Sequence, residues 1–204
     1  MNKPKIDRFI GAYRKYDPNY YYRYIDQAIF LTFQKYPNHT SPEQVFAKIS
    51  LVNRIYRTNI QRRRKDAEWK LAELLVDKKF DNAITPLKTI KNLDAATLPE
   101  IVGIHERFVN IAKKVLRVRA TSFCSKYLHF HFPKIIPIFD SKAYETAWKL
   151  VGNEINDSDM GISDYGCYCL TILNLIEKLN IYGIRSANLK AIDYLLYDEL
   201  YGNI

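Results

Sequence analysis

Apolar residues recur every three or four positions along most of this chain, and no stretch alternates apolar and polar residues convincingly enough to read as a strand. The clearest stripe is Val45, Phe46, Ile49, Val52 and Tyr56, an amphipathic helix whose start suits Ser41 followed by Pro42. A second long stripe, Ile101, Ile104, Phe108, Ile111, Ala112 and Val115, follows Thr97 and Glu100, which have the spacing of a capping box. Shorter helices are predicted over 5–16, over 20–36 with Tyr24, Ala28, Leu31 and Tyr36 as the apolar stripe, and from Trp69 to near Lys78. Another is predicted over 80–90, with Pro86 in its first turns, and two more close the chain over 164–179 and 186–200. Asp17-Pro18-Asn19, 37–42 and 152–161 read as turns or loops. The pattern predicts an all-α fold of nine to ten helices.

The stretch 119–148 is the one around which the other helices are arranged. An apolar run (Phe123, Tyr127, Phe130) ends at Pro133. The short link Ile135-Ile136-Pro137-Ile138-Phe139 then delivers Asp140 to the start of another helix, whose apolar face is Tyr144, Ala147, Trp148 and Val151. Asp140 and Ser141 are both good N-cap residues, so capping accounts for them as well as chemistry does. Ser122 and Lys126 read equally as helix surface.

The 204 residues suffice for one large helical domain or two small lobes sharing a cleft. No run of eighteen apolar residues is present, and MNKPKIDRF lacks the apolar core of a signal peptide. Cys124, Cys167 and Cys169 are odd in number and lack zinc-ligand spacing, which fits a reduced, cytoplasmic protein. His129 and His131 lie two apart, a spacing that on a helix turns them away from any shared metal. No phosphate loop and no GxGxxG is found, so neither a metal nor a cofactor is expected.

Net charge is +9 and unevenly spread. Residues 48–91 hold twelve Lys/Arg against five Asp/Glu, whereas 153–204 hold three against eight. Arg62, Arg63, Arg64 and Lys65 are four successive cations that suit a phosphate-contacting patch or a solvated face. Lys113, Lys114, Arg117 and Arg119 crowd the end of the long helix, where cations also suit the helix dipole.

The block Ser122-Phe-Cys-Ser-Lys126-Tyr-Leu-His-Phe-His131, with Pro137-Ile138-Phe139-Asp140-Ser141, resembles the core of helix–hairpin–helix DNA glycosylases, closest to divergent bacterial 8-oxoguanine-glycosylase-like proteins. The resemblance covers about thirty residues and implies two helical lobes around a cleft lined by 119–148. It also implies extrusion of a damaged base from duplex DNA and an Asp, here Asp140, that stabilises the sugar cation. Bifunctional members add a nucleophilic Lys about eighteen or nineteen residues before that Asp. Those positions are Ser122 and Thr121, and the nearest lysine, Lys126, stands fourteen before it. The family's Leu-Pro-Gly-Val-Gly hairpin is replaced by Val115-Leu-Arg-Val-Arg-Ala120, with Arg117 and Arg119 where glycines approach phosphate. The resemblance thus implies a DNA glycosylase, monofunctional or weakly bifunctional, with Asp140 and Lys126 as catalytic candidates. Arg62, Arg63, Arg64 and Lys65, from the run of cations, and Arg117, Arg119 and Ser122 are the candidate nucleic-acid contacts. A non-enzymatic nucleic-acid-binding module using the basic face is the main alternative. A protein-interaction domain built on Tyr20–Tyr24 is a weaker one.

Overall fold

The computed structural model describes residues 3–16, 22–151, 163–185 and 187–200. Among these are ten α-helices, two short 3-10 turns and no strand. The helices are α1 (Lys3–Lys15), α2 (Tyr22–Lys35), α3 (Pro42–Ile55), α4 (Ala67–Leu75) and α5 (Lys78–Ile84), then α6 (Leu98–Leu116), α7 (Thr121–His131), α8 (Ser141–Val151), α9 (Asp164–Ile181) and α10 (Leu189–Leu200). The 3-10 turns are Ile60–Arg63 and Thr85–Lys88. The loop at 17–19, Tyr20 and Tyr21, the loop over 152–161 and the proposed helix start at Ser186 lie outside the described residues, as do the side chains of Tyr22 and Arg63.

α7 is the axis of the core. Every residue from Phe123 to Phe130 is buried. α2, α3 and α6 pack around it, and buried apolar residues from α1 to α10 form one connected cluster. Phe33 of α2 meets Tyr127 edge-on at 5.1 Å, and Phe108 of α6 lies 5.5 Å from the same ring. The α3 stripe is as expected: Val45, Ile49 and Val52 are buried, with Phe46 and Tyr56 packed partly against the core.

Four expectations are corrected. In α2 the buried face carries Asp26, Ile29 and Phe33, while Ala28 is exposed and Tyr24 and Leu31 are 73% and 57% exposed. The Tyr24–Ala28–Leu31 spacing is helical, but burial of Asp26 by partners on other helices turns that stripe outwards. The helix expected over 80–90 stops at Ile84, and Pro86 instead opens a 3-10 turn, because a proline cannot donate to the preceding turn. The Thr97–Glu100 capping box does not form: the Thr97 hydroxyl bonds Asn92 O at 3.0 Å, and Asp94 Oδ1 accepts the Ala96 and Thr97 N–H groups. On α8, Ala143, Ala147, Leu150 and Val151 are the core positions, whereas Tyr144 is half-buried and Trp148 is 41% exposed. The last helix is capped by Asn188, whose Oδ1 accepts the Lys190 and Ala191 N–H groups.

Candidate functional site

The link from Ile135 to Phe139 leaves a turn, has no helix or strand hydrogen bonding and is largely buried, so its backbone groups need partners inside the protein. α7 supplies most of them from one face. Ser125 Oγ accepts the Phe139 N–H at 2.9 Å, Lys126 Nζ donates to Phe139 O at 3.1 Å, and His129 Nδ1–H donates to Ile136 O at 2.7 Å. From α9, Tyr165 OH donates to Pro137 O at 3.1 Å. Four side-chain bonds thus clamp five residues of backbone, and the clamped link aims Asp140.

Asp140 starts α8. Its carbonyl accepts the Tyr144 N–H at 2.8 Å, and its Oδ1 accepts the Lys142 N–H at 3.0 Å. The capping role is therefore real, and it occupies one carboxylate oxygen. The other, Oδ2, lies 3.7 Å from Lys126 Nζ. The Asp140 side chain is 24% exposed and that of Lys126 2%, so the carboxylate forms the accessible end of the pair. Lys126 is not a surface residue. Its Nζ also donates to Ser122 Oγ at 2.6 Å, one helical turn back. Burial lowers the Lys126 pKa, opposed by the negative charges of Asp140 and Asp193. Beyond Asp140, half-buried Tyr144 and exposed Trp148 continue along α8 at four-residue steps, with their rings 6.2 Å apart.

A second group, absent from the sequence reading, borders this pair. Tyr56, which caps the end of α3, places its ring centroid 5.7 Å from Lys126 Nζ. Lys190 of α10 also reaches this ring, with Nζ 4.9 Å from its centroid; it donates to Tyr56 OH at 2.7 Å and to Asp193 Oδ2 at 2.9 Å, with Asp26 Oδ2 at 3.5 Å. Tyr56 OH donates to Asp26 Oδ1 at 2.7 Å, and the Tyr194 hydroxyl also bonds Asp26. Burial pulls the Lys190 pKa down, but Asp193, Tyr56 and Asp26 outweigh it and leave the value raised. Burial raises the pKa of Asp26. Buried Asp193 Oδ1 has no hydrogen-bond partner among the described residues.

A further buried cluster lies on the opposite face of α7. His39 Nδ1–H donates to Asp81 Oδ1 at 2.6 Å, and its Nε2 accepts from Tyr127 OH at 2.8 Å. Lys48 Nζ donates to Tyr36 O and Asn38 O, and stands 3.5 Å from Nε2 of both His39 and His131. Burial, then the Lys48 charge, pushes the His39 pKa down to about 4. Burial lowers the Lys48 pKa to about 8. His129 and His131 thus serve different surroundings, one on the link and one on this cluster.

The basic candidates divide. Arg62 and Lys65 are exposed. Arg64 is paired, its Nη2 donating to Asp66 Oδ2 at 3.1 Å. The Arg63 side chain lies outside the described residues. Arg117 is exposed and ends α6 in the left-handed region, at φ 57°. Arg119 Nη2 donates to Glu106 Oε2 at 2.6 Å, which ties the α6–α7 turn back onto α6. Among the candidates, Ser122, Lys126 and Asp140 meet. A signal for the clamp was present in the sequence: Ser122, Ser125, Lys126 and His129 form a polar i, i+3, i+4, i+7 stripe on an otherwise apolar helix. Nothing local marks Tyr56, Asp26, Lys190 and Asp193 as partners.

Residues 5–135 match the family HI_0787_N, described as an N-terminal domain, and the chain belongs to that family. The match takes in α7 and ends just before the rest of the link and Asp140. No curated protein and no solved structure matches the chain. Among the described residues, no helix is long and apolar enough to cross a membrane, and no group of three His, Cys, Asp or Glu could hold a metal ion.

Proposed function

We propose that this member of the HI_0787_N family is a DNA glycosylase-like enzyme that cleaves the N-glycosidic bond of a damaged or modified base extruded from duplex DNA. The observation that carries the reading is the contact of Asp140 Oδ2 with Lys126 Nζ at 3.7 Å, at the mouth of a buried polar site. In this reading the helices form two lobes about a cleft lined by 119–148. The C1′–N bond breaks with its electron pair leaving on the base, which takes a proton from solvent. Asp140 stabilises the positive charge left on the sugar. Water adds to C1′ and gives up a proton, leaving an abasic sugar. Lys126, almost wholly covered, holds Asp140 Oδ2 and the Phe139 carbonyl and so positions the carboxylate. Tyr144 and Trp148 offer ring faces beside Asp140 against which an extruded base can stack.

The test is single-turnover base release from a duplex carrying 8-oxoguanine opposite cytosine, followed by a panel of other modified bases. Products are resolved with and without alkali. Asp140→Asn is expected to slow release by about 10²–10³-fold while DNA binding persists. Strand breaks are expected only after alkali. Breaks without alkali, with borohydride trapping lost in Lys126→Met, would make Lys126 the nucleophile. Release by Asp140→Asn at the wild-type rate would sink the assignment.

A second reading, a non-enzymatic nucleic-acid-binding module, is favoured by the exposed cations after α3. It expects salt-sensitive binding indifferent to Asp140 and no base release from any duplex in the panel.

A further inference from the structure

The turn between α3 and α4 begins at Tyr56, the residue that walls the Lys126 site. From Arg54 to Lys65 the sequence is RIYRTNIQRRRK, six cations with no acid. Two non-glycine residues in this short turn, Arg57 and Asn59, have positive φ, at 49° and 54°. Such backbone persists only where its surroundings over-determine it.

Here buried Asn53 does so. Its backbone oxygen accepts the Thr58 N–H at 3.1 Å, and its Oδ1 accepts Thr58 Oγ1–H at 2.7 Å and the Ile60 N–H at 3.2 Å. Its Nδ2 donates to buried Glu68 at 2.5 Å, and Glu68 also takes a bond from Ser50 Oγ at 2.6 Å. Ile60 plugs the turn into the core. The backbone that carries the cations is therefore held rigidly, while Arg54, Arg57, Arg62 and Lys65 themselves are exposed and form no ion pair among the described residues.

The α6–α7 turn differs. Arg119 there is committed to Glu106, and no glycine is present to bring backbone N–H groups close to a phosphate.

We infer that the α3–α4 turn is this protein's grip on the phosphodiester backbone, with Arg57 and Arg62 contacting phosphates of the strand whose nucleotide enters the site beside Tyr56. The inference rests on the glycosylase-like reading for the strand it names. A preorganised row of cations loses little freedom on binding, and each phosphate neutralised releases counterions. Because Arg57 directly follows Tyr56, the grip and the site are fixed in one register. Arg64, already paired with Asp66, is left out of it.

The experiment measures binding of a fluorescein-labelled duplex containing an abasic-site analogue, by anisotropy across a salt series. The proteins are wild type, the double variant Arg57→Gln/Arg62→Gln, and a charge-matched control, Lys78→Gln/Lys79→Gln, on the exposed start of α5. Losing two phosphate contacts is expected to flatten the slope of log K against log salt by about 1.8, with roughly ten-fold weaker binding at moderate salt. The control should keep the wild-type slope. Equal losses in both double variants would mean diffuse attraction and would overturn the grip. So would an unchanged slope in Arg57→Gln/Arg62→Gln, and if Asp140-dependent base release persisted there, the grip alone would fall. A wild-type protein that binds no duplex at low salt would end both proposals. Circular dichroism melts confirm folding, which exposed sites are chosen to retain: Arg57, Arg62 and Lys78 form no ion pair among the described residues, and Lys79 has only a 4.0 Å contact with Asp77 at the surface.

Discussion

Lys126 and Lys190 approach the same tyrosine ring from different helices, and burial has opposite outcomes for them. Lys190 has Asp193 at 2.9 Å, Asp26 at 3.5 Å and the Tyr56 hydroxyl at 2.7 Å, and its pKa is raised against the cost of burial. Lys126 has one carboxylate at 3.7 Å and two neutral oxygens, and its pKa is lowered. The number and closeness of the counter-charges decide the sign, since desolvation works against both cations. One lysine is therefore a fixed structural charge tying α10 to α2 and α3. The other has a single, more distant carboxylate to set against its burial. Lys48 resembles Lys126: Asp81 is its acidic neighbour, His39 and His131 face it, and its pKa falls to about 8.

The contrast breaks most directly at Lys190. Lys190→Met strands Asp26 and Asp193 as buried, unpaired carboxylates and is expected to cost about 3–5 kcal/mol in urea unfolding. A loss under about 1 kcal/mol would mean that this network does not hold the bundle together. Lys126→Met sharpens the same comparison. It removes a poorly compensated buried cation and leaves Asp140 in contact with water, so stability should move by less than about 1 kcal/mol while base release falls. A large stability loss with intact release would reverse the roles assigned to the two lysines.

The smallest effect is in pH. Between about 8 and the ordinary value of 10.5, folded Lys48 binds fewer protons than unfolded Lys48. Stability therefore rises with pH across that window. The buried tyrosines act in the opposite sense near pH 10, so the quantity to measure is the difference in urea midpoint between wild type and Lys48→Met. It should shift in favour of wild type from pH 8 to pH 10. A flat difference would mean that Lys48 is solvated.

How much was legible differs by element. The α3 and α6 stripes were readable because each is set by one face and one period, which neighbours in sequence define. The start of α8 at Asp140 was readable too, since a short apolar link followed by an acid leaves few geometries. The α2 face was misread because both of its stripes have helical spacing. The choice fell to Asp26, a polar residue that is buried only because Tyr56, Tyr194 and Lys190 come to it from elsewhere. The helix expected across Pro86 failed for a local reason that proline chemistry already contained.

The sequence by itself determined an all-helical chain, its main amphipathic faces, a basic segment after α3 and an acid delivered to a helix start. Periodicity, capping and charge are properties of neighbouring residues, so they survive without any tertiary contact. Only the tertiary structure decided that Lys126 is covered and meets Asp140, that two lysines approach the Tyr56 ring, and that Arg64 and Arg119 are already engaged while Arg57 and Arg62 form no ion pair among the described residues. Those are facts about residues far apart in the chain. Their energies depend on burial and on which counter-charges the packing brings within a few ångströms, and one-dimensional spacing carries neither.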